Sequence, residues 1–69
     1  MAFSLKALRV NAEMTRPQVI EKLKIEKGIV LTVGTLANYE NKTTSPDIAT
    51  AQALASMYGV AVDDVCWGI

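Results

Sequence analysis

Helix punctuation between residues 15 and 32 constrains this chain most. Thr15-Arg16-Pro17-Gln18 has the form of a capping box. The Thr hydroxyl can take an orphan amide, Gln18 can reach back to the cap, and Pro17 sits in the first turn where its missing N–H does no harm. Val19, Ile20 and Leu23 then make an apolar stripe, and no breaker interrupts Lys24-Ile25-Glu26-Lys27. Gly28 is suited to the left-handed position that ends a helix. Thr32 caps the next helix, expected from about Val33 to Asn41, with Leu36 and Tyr39 on its inner face. Two helices are thus held to a short connection, Ile29-Val30-Leu31, whose side chains are expected to plug the core.

The flanks also read as helices. Ser4 caps a first helix running to about Ala12 or Glu13, with Leu5 and Leu8 on one face. Asn41-Lys42-Thr43-Thr44 is a polar loop. Ser45-Pro46-Asp47 is expected to open a fourth helix, with Ser45 as cap and Pro46 first, carrying Ile48, Ala51, Leu54, Ala55 and Tyr58 at helical spacing to Gly59. A short fifth helix is expected over about Asp63 to Trp67. Sixty-nine residues, about half of them apolar, suffice for one domain with one small core.

Composition removes several function classes. One cysteine, Cys66, forms no intramolecular disulfide and is expected to be a small buried hydrophobe. With no histidine and one cysteine, a zinc site is not expected, and the commonest general base is missing, so an enzyme is not expected. Asp63-Asp64 has no partner group and reads as a helix start. The N-terminus shows no signal-peptide core, and the longest charge-free stretch, Ile48 to Val62, is too short to span a bilayer. The expected location is the cytoplasm, with no cofactor, membrane or small-molecule ligand.

The formal charge is zero but unevenly distributed. All seven basic residues lie in residues 1–42 against four acids, which leaves +3. Residues 43–69 hold Asp47, Asp63 and Asp64 and no base, which gives −3. Such asymmetry suggests a polyanion-facing first half.

The order of motifs is more specific than any one of them. Leu8-Arg9, Met14 to Val19, Thr35 to Asn41, Ser45-Pro46-Asp47 and Met57 to Val65 together resemble the phage-repressor/Cro-type (Xre-like) helix-turn-helix family. The opening Phe3-Ser4-Leu5-Lys6-Ala7-Leu8-Arg9 is similar to short regulators of Gram-positive bacteria and their phages. The resemblance implies an all-α, compact five-helix lambda-repressor-like domain. It departs from the family between Leu23 and Thr35, where several extra residues lengthen helix 2 and the turn.

The resemblance also implies roles. Helix 3 would enter the major groove of double-stranded DNA, with Val33, Gly34, Thr35 and Asn38 at the base-reading positions. Asn bonds adenine bidentately, Thr bonds many bases, and Val touches a thymine methyl, so a reader leaning towards A·T is expected. Gly34 reads nothing by side chain but allows close backbone approach. Arg16 matches a position where the family contacts phosphate. Lys42 and Thr43, in the loop after helix 3, are placed to reach neighbouring phosphates, and Lys27 beside the lengthened turn and Thr32 are further candidates. About two to four phosphate contacts per monomer are expected by counterion release. Arg9 and Glu40 match a structural ion pair between helix 1 and the end of helix 3. Trp67 and Ile69 either fold back on the core or cover a two-fold dimer contact. The rival reading is an anti-repressor or modulator that binds a partner repressor protein through the lengthened region.

Overall fold

The computed structural model describes residues 2–67. Its elements are β1 (Phe3–Ser4), α1 (Leu5–Asn11), α2 (Arg16–Lys27), α3 (Val33–Glu40), α4 (Ile48–Tyr58), a 3-10 turn (Val62–Asp64) and β2 (Val65–Cys66). The capping box forms: Thr15 Oγ1 accepts from the Gln18 amide at 3.4 Å, and the Thr15 amide donates to Gln18 Oε1 at 2.8 Å. Ser4 and Thr32 cap α1 and α3 through their side chains.

Each α-helix is followed within two residues by one in the left-handed region. Gly28 and Gly59 occupy it without cost, whereas Glu13 (φ 57°) and Lys42 (φ 60°) adopt it with side chains attached. After α3, the Thr43 amide donates to the Asn38 carbonyl at 2.9 Å and the Lys42 amide to that of Tyr39 at 3.2 Å. This is the Schellman pattern, which satisfies carbonyls the helix leaves open.

The core is built from Leu5 of α1, Val19 and Leu23 of α2, Leu36 of α3, Leu54 and Ala55 of α4, and Val65 of β2. α2 packs against both α3 and α4, and α1 packs against α3. These contacts fix the helix pair that carries the candidate site.

Five expectations need correction. There is no fifth helix over Asp63 to Trp67. One 3-10 turn gives way at Val65 (φ −99°, ψ 133°) to an extended segment paired in parallel with β1, Phe3 opposite Val65 and Ser4 opposite Cys66. Burying Val65 beside Phe3 and supplying backbone partners wins over one more turn of helix. The second correction concerns α4, which is capped by Asp47, not Ser45. Proline disfavours helical backbone in the residue before it, and here Pro46 also precedes the helix and lines a cleft beside Trp67. The third is Ile48, which in the first turn of α4 is 77% exposed instead of core.

The other two concern single side chains. Val30 is 72% exposed, while Ile29 and Leu31 pack on the core. An extended segment alternates its sides, so three consecutive residues cannot all plug one core. Finally, Cys66 is exposed, because on β2 it follows the inward-facing Val65.

Candidate nucleic-acid interface

α3 is an eight-residue helix with two distinct sides. Leu36 and Glu40, four residues apart, are buried and anchor it. Thr32, Val33, Gly34 and Asn38 are exposed, and Thr35 is half-buried. The expected base-reading residues therefore lie on or beside the outward face. Thr32 accepts from the Thr35 amide at 3.1 Å, and its hydroxyl lies 2.9 Å from the Thr35 hydroxyl. One of the two O–H groups serves that mutual bond, which leaves the other O–H available to an external acceptor. A Cβ added at Gly34 meets only Thr32 Oγ1, at 4.0 Å. Nothing inside the fold demands glycine there.

Glu40 is the electrostatic centre of the site. Its side chain has no solvent exposure. Oε2 accepts from Arg9 Nε at 2.7 Å, and Oε1 accepts from Arg9 Nη2 at 3.2 Å and from Arg16 Nε at 3.0 Å. Arg9 Nη1 also donates to the Met14 carbonyl at 3.0 Å, tying α1 to the start of α2. A buried carboxylate needs partners of this kind, because desolvation otherwise exceeds what one ion pair returns. Two guanidiniums around one carboxylate leave one net positive charge at the junction of α1, α2 and α3.

Tyr58 of α4 borders this cluster electrostatically. Its hydroxyl is buried and has no hydrogen-bond partner among the described residues. Burial pushes its pKa up to about 12, the negative charge of Glu40 pushes in the same direction, and Arg9 opposes them.

The expected phosphate-contacting cations are not loose. Arg16 is held by Glu40 with 32% of its side chain exposed. Lys27 Nζ donates to Ser56 Oγ of α4 at 3.0 Å, and Lys42 Nζ donates to Cys66 Sγ at 3.3 Å. Thr43 is exposed beside Lys42. The second guanidinium on Glu40, that of Arg16, has no signal in sequence spacing, because the two residues meet only through the packing of the helices. Ile25 on α2 is 73% exposed.

Trp67 turns back onto the domain. Its indole N–H donates to the Val62 carbonyl at 3.0 Å, and its ring packs against the core. With Pro46, Ile48, Ala51 and Val65 it lines an open cleft of about 440 Å³. Ile69 lies outside the described residues. No group of histidine, cysteine, aspartate and glutamate that could hold a metal ion occurs among the described residues, and no helix there is long and apolar enough to cross a membrane.

A helix-turn-helix family model matches residues 5–65, which spans α1 to α4, the 3-10 turn and the first residue of β2. No curated protein and no solved structure matches the chain.

Proposed function

The chain belongs to the helix-turn-helix family, and on that premise we propose that it is a sequence-specific, double-stranded DNA-binding regulator of transcription. The observation that carries this reading is the two-sidedness of α3: Leu36 and Glu40 lock it down while Val33, Gly34 and Asn38 face outward. In the proposed complex α3 enters the major groove with Val33 to Asn38 along the base edges. Asn38 bonds adenine, Val33 meets a thymine methyl, and Gly34 admits close approach. Arg16, Thr32, Lys42 and Thr43 contact the backbone, with Lys27 at its edge.

The protein acts in the cytoplasm, without enzymatic activity or cofactor, as a bacterial or prophage regulator. Its motif order supports that origin. As a dimer, two copies would meet half-sites about one helical turn apart, roughly 34 Å.

Selection from genomic fragments, followed by footprinting of Asn38→Ala on the best fragment, tests the reading. A recovered motif whose discrimination at one base pair falls by about 1–3 kcal/mol in the variant supports it. No enrichment of any sequence refutes it.

A further inference from the structure

Glu40 accepts from two arginines that are used differently. Arg9 commits Nε and Nη2 to the carboxylate and Nη1 to the Met14 carbonyl, and only 13% of its side chain is exposed. Arg16 commits Nε alone and is 32% exposed. The remaining donors of its planar fork have no acceptor among the described residues. The bond from Nε to a fully buried carboxylate restricts the guanidinium and leaves its terminal amino groups uncommitted. Those groups are then presented together, in the geometry that grips two oxygens of a phosphate.

We propose that Glu40 is a positioning residue that aims Arg16 at a DNA phosphate. The inference rests on the DNA-binding reading above and adds to it a division of labour: Arg9 secures the fold, and Arg16 transmits the placement of α3 to the backbone contact. The carboxylate sits on the last residue of α3 and Arg16 on the first of α2. Phosphate grip and recognition-helix position are therefore set by one group. Lysine cannot replace Arg16 here, because a single ammonium is a point charge without a second edge to offer.

The test uses the whole chain and the duplex recovered by selection, with affinity read by fluorescence anisotropy across a salt series. Glu40→Gln keeps the shape of the side chain and removes its charge. Measured at a temperature where circular dichroism shows it folded, it is expected to bind about tenfold more weakly, since a charge-assisted contact is lost. The slope of log K against log salt should become shallower by about 0.9, the value of one phosphate contact. A purely electrostatic role predicts the opposite sign, because the variant is more positive, so equal or tighter binding overturns the proposal.

Arg16→Lys provides a second arm that leaves the carboxylate in place, and it decides the matter if Glu40→Gln does not fold. A loss of about five- to tenfold supports positioning, and wild-type affinity overturns it. A wild-type chain that prefers no duplex over a scrambled one refutes the DNA-binding reading itself, which separates that failure from this one.

Discussion

Arg9 Nε lies 2.7 Å from Glu40 Oε2, and the carboxylate it meets is wholly buried. This pair joins α1 to the end of α3 across much of the sequence. Removing the arginine leaves a buried charge with Arg16 as its only cation. Arg9→Met is therefore expected to cost about 3–5 kcal/mol. A chain of this length has about 3–10 kcal/mol in total, so the variant should lose a large share of its stability and unfold at a much lower urea concentration. Urea denaturation followed by circular dichroism measures this, and a wild-type midpoint would contradict the buried-pair account.

Tyr58→Phe should stabilise the protein or leave it unchanged, by up to about 1–2 kcal/mol, because it removes a buried hydroxyl without a partner. The phenol also makes stability depend on alkaline pH. Its folded pKa of about 12 lies above the ordinary 10.0, so the neutral form is favoured by folding. That contribution is complete below pH 10 and is lost as pH rises towards 12. Thermal midpoints of the two proteins should differ in slope over that window, and parallel curves would exclude the effect.

Gly34→Ala separates folding from recognition. An added methyl has open space inside the protein, and alanine is the better helix former by about 0.5–1 kcal/mol. The melting temperature should hold or rise. If the DNA backbone or a base edge approaches this point, affinity for the selected duplex should fall nonetheless. A more stable variant with undiminished binding would show that the groove does not come close to Gly34.

Lys42→Gly should act in two directions. Glycine removes the strain of a side chain at φ 60°, worth about 1 kcal/mol, and outweighs the exposed Lys42–Cys66 hydrogen bond. The same change deletes a candidate phosphate contact, so the salt slope of DNA binding should drop by about 0.9. Calorimetry and a salt titration read the two effects separately. An unchanged slope would assign Lys42 to the fold alone.

What the chain reveals before folding follows from how local each signal is. The capping box at Thr15 and Gln18, the cap at Thr32 and the stops at Gly28 and Gly59 act within one turn, and all are readable as residue types. The stops at Glu13 and Lys42 are not, because neither residue type advertises a left-handed backbone. There the Schellman bonds of Met14 and Thr43 impose it. The replacement of a fifth helix by β2 depends on Phe3, at the opposite end of the sequence, and no local pattern reports such a partner. In the candidate site, the outward position of Asn38 follows from the spacing of Leu36 and Glu40. The grip of Glu40 on Arg16 comes from the packing of α1, α2 and α3 around one carboxylate. Val30 faces outward between Ile29 and Leu31, which pack on the core, and its hydrophobicity alone does not tell which side it takes.

The parallel pairing of Phe3–Ser4 with Val65–Cys66 closes the chain into a ring with only two residues on each side. A ribbon that short is not stable alone, and the entropy of closing so large a loop must be met by helices already in place. The ribbon is therefore expected to form after the helices during folding and to open before them. Ser4 also caps α1 through its side chain, and Trp67 follows directly on β2. Loss of the ribbon thus reaches the start of the first helix and the indole together, so the two ends of the domain fray as one unit. Native-state hydrogen exchange should find the β2 amides and the Trp67 indole proton sharing a single opening free energy, below that of α2.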